Sequence, residues 1–125
     1  MNAKVSFDRQ TSQYIYVLVR TDLPLEHQAP QAIHAAMKAS QTFPLQGEER
    51  LVFLGIEDQE NLLKMKTSLD IRNIPYEEFH EPDYNHGLTS LCTAPIPSCP
   101  LFKKLKLWQP ATNETKKFHT PLAVF

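Results

Sequence analysis

The chain has 125 residues and a formal net charge of −1 at pH 7, with 42% hydrophobic and 22% charged residues. This length suits one domain with its own core, and so slightly acidic a chain is not typical of proteins that bind nucleic acid through a broadly basic surface. Because no apolar run reaches the length of a membrane span and the start lacks a signal-peptide pattern, we expect a soluble cytoplasmic protein.

Positive charge is concentrated towards the carboxyl terminus. Residues 1–97 hold 8 Lys and Arg against 13 Asp and Glu, whereas residues 98–125 hold 5 Lys and one acidic residue, Glu114. Any phosphate contact is therefore expected to be local, although a solvated tail explains the same charges. The lysines concerned are Lys103, Lys104, Lys106, Lys116 and Lys117.

The first predicted strand and helix dominate the functional interpretation. Residues 14–19 are β-branched, aromatic or aliphatic, which predicts a buried strand. The following helix is predicted to begin close to Pro30, because proline suits a first helical turn. Its apolar stripe consists of Ala29, Ala32, Ile33, Ala36 and Met37. A separate polar face carries His27, Gln31, His34 and Lys38. A strand, a polar loop and a helix in this order commonly place a site at the carboxyl edge of a sheet.

The rest of the chain continues the alternation of strands and helices. We predict a strand at 50–56, a helix at 59–72 capped by Asp58, and strands at 76–79 and 88–94. Alternation in the last strand puts Leu88, Ser90, Cys92 and Ala94 on one side and Thr89, Leu91 and Thr93 on the other. Residues 102–108 fit a helical turn or an edge strand equally well.

This order of elements predicts an α/β fold with one domain, a mixed four-stranded sheet and helices packed on it. Residues 14–108 are assigned to the domain, residues 1–13 to an N-terminal extension and residues 109–125 to a C-terminal tail.

The motif order resembles the type 2 peptidyl-tRNA hydrolases. The residues that carry the resemblance are the Arg20-Thr21-Asp22-Leu23 turn and the Gln31-Ala32-Ile33-His34-Ala35-Ala36 helix segment. Within that superfamily the chain is most similar to the divergent peptidyl-tRNA hydrolase domain-containing branch, through Glu81-Pro82-Asp83, Thr89 and the basic, aromatic segment 102–108. The resemblance covers roughly residues 14–97 and implies a homodimer. We expect no cofactor and no metal.

The resemblance implies hydrolysis of the ester bond of peptidyl- or aminoacyl-tRNA by activated water. Such a reaction needs a group that accepts the proton of water and a donor that stabilises the oxyanion. The implied catalytic residues are His34, Asp83, Thr89 and His27. The implied substrate-binding residues are Arg20, Asp22, Gln31 and Lys38.

Two departures from the family pattern keep a competing hypothesis open. His27 stands where the active family has a lysine, seven residues before His34, and residues 81–87 replace the family's Asp-x-Gly-Arg-Thr loop. Asp83 and Thr89 are the residues that can be carried over from that loop. The competing hypothesis is a non-catalytic binding or assembly module that keeps the fold.

Two further chemistries rest on the residues alone. His80, Glu81, Asp83 and His86 share one loop and are candidate metal ligands, although their spacing matches no strong zinc pattern. Cys92 with His34 is a candidate nucleophile and base. The spacing of Cys92 and Cys99 indicates neither a zinc framework nor a disulfide scaffold, so two reduced thiols are expected.

Overall fold

A computed structural model describes residues 12–110. These residues form an α/β domain in which two helices pack on a mixed five-stranded sheet. The elements are β1 (Tyr14–Arg20), α1 (Leu25–Thr42), β2 (Arg50–Ile56), α2 (Gln59–Ile71), β3 (Tyr76–Glu81), β4 (Gly87–Thr93), a short 3-10 helix (Pro100–Phe102) and β5 (Lys106–Leu107). Residues 1–11 of the predicted extension and residues 111–125 of the predicted tail lie outside the described residues.

The strand order is β3-β4-β1-β2-β5. β1 runs parallel to β2 and antiparallel to β4, and β3 and β5 are antiparallel to their neighbours, so the predicted mixed sheet is confirmed. The predicted count of four strands is wrong, because Lys106 and Leu107 add a fifth strand by pairing with Gly55 and Leu54. Two residues are too few to establish an alternating pattern in the sequence.

The two helices cover opposite faces of the sheet. Alternating residues of β1 separate the two cores, since Val17 and Val19 pack with α1 while Leu18 packs with α2. The α1 core also contains Ala32, Ala35, Ala39 and Cys92. The α2 core also contains Tyr16, Leu54, Ile56, Leu62, Leu69, Leu88, Leu91 and Phe102.

α1 differs from its prediction in both its start and its buried stripe. It begins at Leu25, so Pro30 lies inside the helix and removes the hydrogen bond that the carbonyl of Glu26 would accept. Ile33 and Met37, predicted as part of the apolar stripe, are 57% and 54% exposed. The buried residues are instead Gln28, Gln31, Ala32, Ala35 and Ala39. Two glutamines can be buried here because their amides are hydrogen-bonded within the protein.

β4 contains a bulge that breaks the predicted alternation. Phe79 pairs with Ser90 and His80 pairs with Leu88, so Thr89 is an extra residue on β4. As a result Leu88 packs with Leu91 in the α2 core, and Thr89 contacts α1. The predicted sides were therefore wrong for Leu88 and Thr89.

The predicted cap of α2 is confirmed. The side chain of Asp58 accepts a hydrogen bond from the backbone N–H of Asn61 at 2.9 Å. Within residues 12–110, neither helix combines the length and apolar character that a membrane crossing requires.

Candidate functional site

Polar side chains gather at one edge of the sheet. Because β1 and β2 are parallel and β4 runs the other way, this edge holds the ends of β1, β2 and β3 together with the start of β4. Both helices begin here as well, each following the end of a strand after a short turn. The fold thus brings Arg20, Gln31, Glu81 and Thr89 to the carboxyl edge at which the sequence predicts a site.

Arg20 ties the end of β1 to the start of β4. Its Nε and Nη2 atoms donate to the two carboxylate oxygens of Asp22, each at 2.9 Å. Its Nη1 atom donates to the backbone carbonyls of His86 at 2.6 Å and Leu88 at 3.0 Å. The residue is only 9% exposed. These bonds occupy four of the five donors of the guanidinium, so Arg20 positions the loop before β4.

Gln31 links β3 and β4 through a buried network. Its side-chain amide donates to the carboxylate of Glu81 and accepts from the hydroxyl of Thr89 at 2.7 Å, while its backbone carbonyl accepts from Ser90 Oγ at 2.7 Å. The Thr89 hydroxyl also lies 3.1 Å from the carbonyl of Phe79. The hydroxyl of Thr89 holds the Gln31 amide in place through the hydrogen bond between them. Thr89 is fully buried and has no contact with solvent.

Glu81 is a buried carboxylate at the end of β3. It is 8% exposed, and its second oxygen accepts the backbone N–H of Asp83 at 2.7 Å. That hydrogen bond is the main reason why the pKa of Glu81 lies below its ordinary value. The Gln31 amide and the neighbouring imidazoles of His86 and His27 lower this pKa further. Glu81 is therefore ionised at neutral pH.

Three rings form a cluster beside this carboxylate, and we call His27, Tyr84 and His86 the ring cluster. The rings of His27 and Tyr84 stack with centroids 4.7 Å apart, and the ring of His86 lies 5.8 Å from each of them. His27 Nδ1 and His86 Nε2 are buried and have no hydrogen-bond partner within the described chain. Solvent does not reach these two nitrogens, whereas His27 and His86 as residues are only partly buried.

The other predicted site residues lie outside this network. The imidazole of His34 is exposed and stacks on Phe79 at 4.5 Å. Lys38 donates to the carbonyl of Glu78 at 2.7 Å and so ties α1 to β3. Asp83 is exposed on the loop and contributes its backbone N–H to the network. The structure thus brings His27, Arg20, Asp22, Gln31 and Thr89 together and leaves His34, Lys38 and the carboxylate of Asp83 at the surface.

Sequence reasoning missed the central positions of Glu81, Tyr84 and His86. All three lie within residues 81–87, where Glu81 counted only towards the resemblance and, like His86, as a candidate metal ligand. A glutamic acid between an alternating strand and a proline resembles an ordinary exposed residue. Its partner Gln31 lies 50 residues earlier in the chain, so a local pattern cannot reveal the pair.

The metal and thiol hypotheses find no support in the geometry. No three histidine, cysteine, aspartate or glutamate side chains within residues 12–110 are grouped so that they could hold a metal ion. His80 instead lies 3.6 Å from Glu78. Cys92 is buried in the α1 core, and burial raises the pKa of its thiol to about 12, which keeps it protonated and a poor nucleophile.

The edge of the sheet therefore presents an ionised buried carboxylate, two imidazoles with unpartnered nitrogens, and an arginine that holds the surrounding loop. In comparisons with known proteins, no protein-family model and no curated sequence matches the chain.

Proposed function

We propose that this chain is a divergent member of the type 2 peptidyl-tRNA hydrolase superfamily and hydrolyses the ester bond of peptidyl- or aminoacyl-tRNA by activated water. The observation that carries the proposal is the position of the His27 and His86 imidazoles beside the buried carboxylate of Glu81. This group lies at the sheet edge that also holds Arg20, Asp22 and Gln31, on which the family resemblance rests.

In the proposed reaction an imidazole accepts the proton of the attacking water. An imidazole suits this task because its ordinary pKa lies close to neutral pH. The ionised carboxylate of Glu81 stabilises the imidazolium that forms. Tyr84 holds the His27 ring by stacking, and Arg20 fixes the carbonyl of His86. His27 therefore has a role in proton transfer, in place of the cationic role of the family lysine.

Gln31 and Thr89 act as positioning residues in this proposal. Gln31 donates to Glu81, and Thr89 donates to Gln31, so a chain of two hydrogen bonds runs from β4 through α1 to the carboxylate. The bulge at Thr89 turns its hydroxyl towards α1 and completes the chain. Bulges commonly redirect a side chain next to an active site.

The test is hydrolysis of peptidyl-tRNA by the purified protein and by His27→Ala, His86→Ala and Glu81→Gln. Loss of the proton-accepting imidazole is expected to lower kcat by about a hundredfold or more, the usual contribution of a general base. His80→Ala is the matched control, because His80 is an exposed imidazole that lies beside Glu78 instead. Circular dichroism verifies that each variant is folded. Wild-type turnover no higher than a buffer blank contradicts the proposal.

The second candidate function is the non-catalytic binding or assembly module. The observation that favours it is that Arg20, Gln31 and Thr89 are buried and hydrogen-bonded within the protein. This candidate predicts that RNA carrying no ester binds as tightly as the peptidyl-tRNA and that wild type and variants show no turnover. Turnover that His27→Ala abolishes contradicts it.

A further inference from the structure

A groove of about 590 Å³ lies between α2 and residues 104–109. Its floor is formed by Thr21, Gly55 and Ile56, at the ends of β1 and β2. Thr21 directly follows Arg20, so the groove opens at the same edge of the sheet as the candidate site. A volume of this size is typical of pockets that hold a small ligand such as a single nucleotide.

One wall of the groove is a face of α2. The groove-lining residues of this helix are Asn61, Lys64, Met65 and Ser68. Their spacing of three, four and seven places them on one side of the helix. This face combines an apolar surface from Met65 with polar groups and one positive charge.

The opposite wall is held in place by Trp108. The backbone N–H of Trp108 donates to the carbonyl of Phe53 at 2.8 Å, and its indole N–H donates to the side-chain oxygen of Gln28 at 2.8 Å. The indole also stacks on the ring of Phe53 with centroids 4.9 Å apart. The pairing of β5 with β2 holds Lys106 and Leu107 beside it. The wall is therefore preformed.

The groove is positively charged in an otherwise acidic domain. Lys64, Lys104 and Lys106 line it, against the single acidic residue Glu57. Within residues 12–110, neither Lys104 nor Lys106 has an ion-pair partner, and the pair of Lys64 with Glu60 at 3.7 Å is between largely exposed side chains. Exposed pairs of this kind are weak. All three ammonium groups are available to a ligand.

We infer that this groove binds the phosphate-bearing, single-stranded 3′ end of an RNA, an inference that rests on the proposed function. Lysines act as point charges for phosphates, and they stand on both walls of the groove. Met65 and Leu105 supply apolar surface against which an unstacked base can pack. The groove thus accounts for how an acidic domain holds RNA.

The first test uses fluorescence, because Trp108 is the single tryptophan of the chain and lines the groove. Titration of the full chain with a short single-stranded RNA ending in CCA, without an ester, is expected to change the tryptophan emission. Since each phosphate contact releases counterions, the affinity is expected to fall as salt increases.

Charge reversal then locates the binding site. Lys104→Glu and Lys64→Glu, on opposite walls, are each expected to weaken RNA binding by about tenfold at low salt. Lys103→Glu is the matched control, because Lys103 is exposed in the same segment and does not line the groove. Because the two lysines lie on different walls, weaker binding in both variants indicates loss of the site, whereas weaker binding in one variant alone indicates a local folding defect in that wall.

Several outcomes overturn the inference without touching the proposed function. One is that Lys103→Glu weakens RNA binding as much as the groove variants do, and another is that both groove variants bind as tightly as the wild type. The third is that the wild type binds a blunt RNA duplex of the same length as tightly as the single strand. If turnover is present while the groove variants keep the wild-type KM, the hydrolase stands and the groove assignment fails. If groove-dependent RNA binding occurs without turnover, the groove assignment stands and the hydrolase fails.

Discussion

Arg20 donates hydrogen bonds to both carboxylate oxygens of Asp22, two residues further along the chain, each at 2.9 Å. This bidentate pair fixes the plane of the guanidinium, so that its remaining amino group reaches the carbonyls of His86 and Leu88. The consequence is that the loop carrying Tyr84 and His86 is attached to the central strand of the sheet. The shape of the candidate site therefore depends on one residue that uses four of its five donors inside the protein.

Arg20→Lys is expected to destabilise the protein by about 3 kcal/mol, since a lysine cannot reproduce the fork and leaves buried acceptors unpaired. The free energy of unfolding in urea measures this change. Arg72→Lys is the control, because Arg72 is exposed at the end of α2. Equal stabilities of the two variants contradict the central role of Arg20.

Stability is expected to fall in acid. The hydrogen bond from Arg20 holds the pKa of Asp22 below its ordinary value of 3.8, and the Asp83 backbone N–H lowers that of Glu81 below 4.5. Carboxyls with a lowered pKa stabilise the folded state above their ordinary pKa, and this contribution is lost as pH falls through the folded value. The free energy of unfolding should therefore decline below about pH 4. In Asp22→Asn the free energy of unfolding should decline less steeply over the same pH range. An unchanged slope contradicts the contribution of Asp22 to stability.

The two cysteines are expected to differ in reactivity. Cys99 is partly exposed, whereas Cys92 is buried and its thiol pKa is raised to about 12 by burial. Iodoacetamide at pH 8 should therefore label Cys99 in the native protein and both residues after denaturation, as read by mass spectrometry. Labelling of Cys92 at the rate of Cys99 in the native state contradicts this prediction. It also reopens the thiol mechanism.

Gly87→Ala is expected to destabilise the protein by about 2 kcal/mol, from backbone strain and a weakened hydrogen bond. Gly87 has φ of +77°, and an added Cβ would lie 2.5 Å from Gln59 Oε1, which accepts the N–H of Leu88 at 2.9 Å. Gly47→Ala is a matched control, because Gly47 has φ of +90° with open space around it. Urea unfolding should show a smaller loss for Gly47→Ala. Equal losses would assign the whole effect to backbone strain.

Elements with a regular apolar pattern could be predicted from the sequence. The continuous apolar run of β1 reflects burial on both faces of the sheet. The cap at Asp58 and the apolar residues Leu62 and Leu69 indicate α2. α1 was harder, because two of its buried positions are glutamines. Gln28 is buried because its amide donates to the carbonyls of Thr21 and Leu23. Hydrophobicity alone therefore placed Ile33 and Met37 in the buried stripe, although both are exposed, while Ala32 is buried as predicted.

The candidate site could be predicted only in part. The turn at Arg20 and the helix position of Gln31 are visible as motifs, and both lie at the predicted edge. Glu81 and His86 come from a loop with no regular pattern, and the side of the sheet that Thr89 faces depends on a bulge. A bulge depends on the pairing of two strands, so the residue pattern of β4 alone does not predict it.

The placement of β1 has a consequence for the order of assembly during synthesis. Of the strands within residues 12–110, β1 is synthesised first, yet it occupies the middle of the sheet and both of its neighbours are made later. The backbone N–H of Tyr16 donates to the hydroxyl of Thr93, which lies 77 positions further along the chain. Contacts over such sequence distances slow folding. The nascent chain therefore carries the apolar strand Tyr14–Arg20 with one edge unpaired until β4 has emerged, even after β2 has paired with the other edge, and that interval is when it most needs protection from aggregation.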